Sequence, residues 1–237
     1  MTTNVWLITA MTNLHAGDEN TSSYGIIDNT VQRDTLTQLP CINSSSLKGA
    51  INEFCCHSKM PGEVRKRIFG SDKMSNDKSA SSKGTSFFFD AKILFLPVQD
   101  DTSLYHYATC NDVLSLFEER LAVLGREITL KRTNEGKYDT VALKSKFNLD
   151  KNVCIVDSKK FDELCDNENL PIIARNVLEN GISSNLWYEQ VLPPKTVLYT
   201  VTRDENDSLK EYIDGKLIQI GANATIGYGF CKFSSFK

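Results

Sequence analysis

The chain has 237 residues, 41% of them hydrophobic and 24% charged, with a formal net charge of −3 at pH 7. That length and composition are those of an ordinary globular protein, one large domain or one domain with long insertions. The charge argues against a uniformly basic nucleic-acid binder but allows a local basic face, because seven basic residues stand against three acidic ones between Lys59 and Lys83. No apolar run approaches the roughly 18 residues of a membrane span. The N-terminal MTTNVWLITAMTNLHAG has no basic leader and reads as mature structure, which suggests a cytoplasmic protein. Seven cysteines without C-x-x-C spacing suit free thiols and give no sign of a disulfide framework or a zinc site.

In chain order, VWLITAM (Val5 to Met11) reads as a strand rich in β-branched and aromatic residues. A polar loop from Asn13 to Tyr24 follows, then short extended pieces at GIID, TVQRD and LPCI. SSSLKGAINEFCCHSK is the clearest helix. Its serines are placed to cap the first free amides, and Leu47, Ala50, Ile51, Phe54 and Cys55 recur at helical spacing. Lys48 lies near the start of this helix, where a lysine opposes the helix dipole unless an anion binds there. Residues 70–86 are poor in apolar side chains and rich in Ser, Lys and Asp, so a mobile loop is expected within 59–86. FFFDAKILFLPV reads as a buried strand with a bend at Asp90. CNDVLSLFEERLAVLG is an amphipathic helix with Gly125 at its C-terminal stop. VCIVD is a strand, SKKFDELCDNE a short helix and VLYTVTRD a strand. The last stretch, DSLKEYIDGKLIQIGANATIGYGFCKF, reads as a helix, a glycine-rich loop and a final strand. Without a regular βαβ period, the pattern is α+β with long insertions.

Two segments suit a phosphate backbone. IGANATIGYGF brings Gly221, Gly227 and Gly229 together, and exposed peptide N–H groups in such a loop can cradle phosphates. It is neither a dinucleotide-binding G-x-G-x-x-G nor a P-loop, and a bulged hairpin fits it equally well. The second segment is the start of the SSSLKG helix, with Ser45, Ser46 and Lys48.

The order NLHAG, GIIDNTVQRD, LPCINSSSLKGAI, FGSD and finally GANATIGYG resembles the RAMP superfamily of CRISPR effector proteins. It is most similar to the repeated backbone subunits of type III-B (Cmr) complexes, whose type III-A relatives share the aspartate and SSLKG motifs. FFFDAKILFLPV and IARNVLENGISSNLWYEQVLPP extend the resemblance over nearly the whole chain. It implies a single domain over 1–237, a ferredoxin-like, RRM-related palm with a thumb at about 174–195. It implies copies stacked in a helical filament on a guide RNA beside other effector subunits, and Mg²⁺-dependent cutting of the complementary target RNA at regular intervals. Asp28 matches the family's catalytic and metal-binding aspartate. His15 is a second candidate acid or base. Arg33, Ser45, Ser46 and Lys48 are expected on guide phosphates, with the three glycines of the last loop, and Trp187 and Tyr188 on a base. Read without the resemblance, Asp28 is a turn-former, His15 a hydrogen-bonded loop histidine, and the Trp187–Tyr188 pair thumb packing.

The chain departs from the family pattern at Thr30, where proline is usual, and at Asn43 and Ser44, where proline-glycine is usual. It departs again at Ala224 and Tyr228, where glutamate and lysine are common. Three rival readings remain: a guide-binding scaffold that does not cut, a metal-independent nuclease that processes guide RNA, and a globular domain unrelated to RNA.

Overall fold

The computed structural model describes residues 1–17, 27–71, 82–205 and 207–237. In chain order its elements are β1 (Thr2–Ala10), β2 (Cys41–Ile42), α1 (Ser44–His57), α2 (Gly62–Phe69), β3 (Phe87–Phe88) and β4 (Ala91–Val98). Then come β5 (His106–Cys110), α3 (Asn111–Val123), α4 (Thr140–Lys146), β6 (Val153–Val156) and α5 (Ser158–Cys165). The chain closes with β7 (Ile172–Glu179), β8 (Ile182–Gln190), β9 (Val197–Asp204), α6 (Lys210–Ile213), β10 (Leu217–Gln219) and β11 (Phe230–Ser235).

Four strands form the centre of a mixed sheet in the order β11-β1-β9-β4, each antiparallel to its neighbour. The chain passes from β1 to β4 through α1 and from β9 to β11 through α6 and β10. Beyond β4 the sheet continues into β5, and β6 joins β5 in parallel. A parallel neighbour needs a long crossover, here supplied by α3 and α4. Sequence periodicity gave no sign of this βαβ unit.

Val5 to Ile8 are buried without interruption, although successive strand side chains point to opposite faces. The sheet is therefore covered on both sides. On one face Trp6 Nε1 donates to Thr202 Oγ1 at 2.9 Å. On the other, Phe117 of α3 meets Tyr199 of β9 edge-on with ring centroids 4.7 Å apart, and Phe147 and Phe236 pack beside it. From α1, Leu47, Ile51 and Cys55 are buried at four-residue spacing.

Several expectations need correction. Residues 62–69 of the expected 59–86 loop form α2, because Ile68 and Phe69 are buried and Phe69 stacks on Phe88 at 5.4 Å. Residues 72–81 of that loop lie outside the described residues, as do 18–26 of the earlier loop and the GIID piece. The serines do not cap α1: Asn43 precedes the helix, and the Ser44 N–H donates to Asp90 Oδ1 from a distant segment at 2.8 Å. The helix before the last loop is only the four residues of α6. The bend expected at Asp90 is the break between β3 and β4.

Candidate functional site

β7 and β8 form a two-stranded ribbon separate from the main sheet. Its far end is exposed, with Ile182 74% and Leu186 52% accessible. Its base is held by main-chain bonds. Leu14 and Leu192 exchange N–H···O bonds of 2.9 Å, and Gln190 N–H donates to Asn29 O at 2.9 Å. Asp28 sits at this base. Its N–H and that of Asn29 both reach Tyr188 O at 3.1 Å, and the Tyr188 N–H donates to Asp28 Oδ2 at 2.7 Å. The aspartate is exposed, yet one carboxylate oxygen is fixed by the ribbon.

The two residues after Tyr188 are buried polar side chains. Glu189 accepts from Trp187 Nε1 at 2.8 Å and from Asn223 Nδ2 at 2.7 Å, with the Arg175 guanidinium 3.8 Å away. Arg175 lies 5.8 Å from the ring centres of both Trp187 and Tyr228. Gln190 is fully buried: its Oε1 accepts from Val31 N–H at 3.1 Å, and its Nε2 donates to Asn167 O at 3.1 Å. Burial of such groups is tolerable because each has partners. No motif marks Glu189, Gln190, Asn223 or Arg175 in the sequence. The only signal is a polar pair, Glu189–Gln190, between Tyr188 and the apolar VLPP.

The glycine-rich loop closes on the segment after β1. Gly229 N–H donates to Asn13 O at 2.7 Å and Ala222 N–H to His15 O at 2.9 Å. Asn223 takes a left-handed conformation, which aims its amide at Glu189. Ala224 to Ile226 form one turn of 3₁₀ helix, the outermost part of the loop.

Asp28, Trp187, Tyr188 and the glycine loop are thus brought together. Trp187 and Tyr188 are half-buried, so part of each ring remains open. His15 joins them only from beneath. It is 4% exposed, and its Nδ1–H donates to the Gln190 carbonyl at 2.7 Å, a bond that fixes the tautomer. Such a histidine orients the ribbon base and does not present an acid or base to a surface ligand. Arg33 also departs from expectation. Its fork donates to Asn167 Oδ1, Gln38 O and Cys165 O at 3.0, 2.8 and 2.8 Å, a clamp onto the end of α5 in which burial lowers its pKa. Ser45 is exposed at the start of α1, Ser46 Oγ accepts from Gln32 Nε2 at 3.1 Å, and Lys48 Nζ lies 6.0 Å from the Phe88 ring centre.

Among the described residues no three His, Cys, Asp or Glu side chains converge to hold a metal ion. Asp28 supplies one carboxylate. That donor set suits Mg²⁺, which keeps most of its waters and is completed by substrate phosphates, and it does not suit an all-protein cage. No helix among the described residues is long and apolar enough to cross a membrane.

A family model described as the RAMP superfamily matches residues 7–232. The chain is 28% identical to the CRISPR system Cmr endoribonuclease Cmr4 of Pyrococcus furiosus, over 88% of each chain. Its fold is similar to a chain of the type III-B Cmr-beta structure bound to cognate target RNA, with a TM-score of 0.78 at 20% identity, covering 100% of this chain and 98% of that one. Oligomeric Cmr4 from Pyrococcus furiosus gives a TM-score of 0.69 at 22% identity over the same shares of the two chains.

Proposed function

The chain belongs to the RAMP superfamily, and on that premise we propose that it is a guide-RNA-binding backbone subunit of a type III-B effector complex that cuts complementary target RNA through Asp28. The observation that carries this reading is the placement of Asp28, exposed yet fixed by a main-chain N–H at the foot of a projecting ribbon. Likeness to Cmr4, an endoribonuclease by name, supports the activity. The antiparallel order β11-β1-β9-β4 with its two helical crossovers supports a ferredoxin-like palm, on which β7 and β8 are the thumb.

RNA carries its own nucleophile. In the proposed reaction the 2′-oxygen attacks the adjacent phosphorus, the bond to the 5′-oxygen breaks, and a cyclic phosphate and a 5′-hydroxyl result. Asp28 takes the 2′-proton or orients the 2′-hydroxyl, and its fixed carboxylate gives alignment without reorganisation. A divalent cation such as Mg²⁺, held by Asp28 and substrate phosphates, would supply charge stabilisation. Tyr188 bonds Asp28 through its main chain, Trp187 precedes it on β8, and the partial exposure of both residues suits stacking on a base. Ser45, Lys48 and the exposed backbone around Gly227 suit guide phosphates. Further copies of the chain, bound head to tail on one guide in the cytoplasm beside other effector subunits, would place one Asp28 per repeat.

The same Tyr188 bond is what a purely structural aspartate would make, so a scaffold that does not cut is the second reading. The test is a reconstituted complex given labelled target RNA with and without Mg²⁺. Evenly spaced, Mg²⁺-dependent cuts that Asp28→Ala abolishes, with guide binding retained, support the nuclease. Tight target binding without cuts supports the scaffold, and cuts that survive EDTA support a processing type of nuclease.

A further inference from the structure

We infer that Gln190 is a positioning residue for Asp28, an inference that rests on the nuclease reading above. Among the described residues the Asp28 carboxylate has one anchor, the Tyr188 N–H, so its position is as definite as that strand and the segment it lies in. Gln190 ties the two together from both its main chain and its side chain. Its N–H donates to Asn29 O, one residue after Asp28, at 2.9 Å. Its Oε1 accepts the Val31 N–H at 3.1 Å, so the aspartate's segment is gripped again two residues further on. Its carbonyl is held from below by His15 Nδ1–H at 2.7 Å. Its Nε2 reaches Asn167 O and Oδ1 at 3.1 and 3.3 Å, and Asn167 is in turn bonded to Arg33.

Gln190 therefore joins four segments, the strand β8, residues 29–31, the His15 loop and the turn after α5, and its fully buried side-chain amide ties Val31 to Asn167. Every one of its polar groups is used, and no rotation of the side chain satisfies the same set. Tyr188, which bonds both the Asp28 N–H and its carboxylate, lies two residues along β8 from this junction, and the carboxylate has no second anchor among the described residues. Removing the side-chain amide leaves the main-chain bonds to Asn29 and His15 in place but releases Val31 and the turn after α5 from β8, so the segment that carries Asp28 loses its second grip. Gln190 touches no reacting atom, and its effect is expected on the rate of cutting and not on RNA affinity.

The test is single-turnover cleavage by the reconstituted complex, with guide retention and target affinity measured on the same preparations. Gln190→Met, close in volume but without either polar atom, is expected to slow cutting about ten- to hundredfold, the penalty of a displacement near 1 Å. Guide and target binding should remain within about twofold of the parent. An unchanged rate overturns the inference, and so does a parallel loss of rate and affinity, which would mark Gln190 as structural only. If Gln190→Met does not assemble, Gln190→Asn decides. It keeps a buried amide but is one methylene too short to reach Val31 and Asn167 together, so slower cutting at unchanged affinity supports the inference and a parental rate overturns it. Asp28→Ala is run alongside. Should it still cut, the nuclease assignment itself falls. A dead Asp28→Ala beside a full-rate Gln190→Met removes only the role of Gln190.

Discussion

At Gly221 and Gly229 an added Cβ would fall 2.1 and 2.0 Å from the carbonyl oxygens of His15 and Ile220, whereas at Gly227 it meets nothing within 4 Å. All three have positive φ. Gly227→Ala should therefore cost only the left-handed strain, about 1–2 kcal/mol. Gly221→Ala must also push the loop off the segment after β1, and Gly229→Ala must push it off Ile220, so thermal unfolding should rank both well below Gly227→Ala. A second residue-scale expectation concerns Asp34. Burial alone would raise its carboxyl, but the bonded Lys92 ammonium and the Thr37 N–H outweigh burial and bring it down to about 2. Burial would lower Lys92, and the same bond raises it instead. A depressed carboxyl adds stability above its unfolded value near 4 and loses it as pH falls through the folded value. Asp34→Asn should thus be less stable than the parent in urea at pH 6, and the gap should close between about pH 4 and pH 2. At this scale the sequence was only partly readable. Asp28 meets Tyr188 through main-chain N–H and C=O groups, a contact that residue type does not announce. Arg33 and His15 did not show their true setting, because the Cys165 and Gln190 carbonyls that hold them lie far away in the chain. A carbonyl partner leaves no trace in residue type.

Elements whose burial is periodic were legible. α1 and α3 declared themselves by apolar spacing, and β1 and β9 by runs of β-branched residues. Those set by distant contacts were not. α2 has a polar composition and is held by Phe69 on Phe88, and α4 owes its start to the Asp139 side chain, which accepts from Val141 and Ala142 N–H at 3.0 Å. α3 buries Val113, Leu114, Phe117 and Leu121, and Phe117 makes its aromatic contacts. Phe117→Ala would remove contacts to Tyr199, Phe147 and Phe236 together, and chemical denaturation should show a loss of about 3–5 kcal/mol. The cap of α1 comes from Asp90, between β3 and β4, so it ties the helix to the sheet as well as satisfying its first amide. Asp90→Ala should cost about 1 kcal/mol in the same experiment, as a local cap would.

For the molecule as a whole, the central strand order follows from two strand–helix–strand passes that the motif order already implied. The β5–β6 extension does not, since it depends on a long crossover with no motif of its own. On the proposed reading, filament growth on a guide belongs to this scale. Guides of twice the length should carry about twice as many copies in mass measurements, with binding that weakens steeply in salt, while a fixed copy number would exclude linear stacking. The β7–β8 ribbon has a final consequence. Two strands alone are marginal in water, and this pair is a separate sheet whose bonds to Asp28, Asn29 and Leu14 lie at its foot. Its amide protons should exchange with deuterium from the Ile182 end towards Tyr188, well before those of β1 or β9, as an opening unit of its own. Warming would then release the grip on Asp28 while the sheet is still intact. A complex built from such subunits would pass through a temperature range in which it still holds its guide and has already ceased to cut.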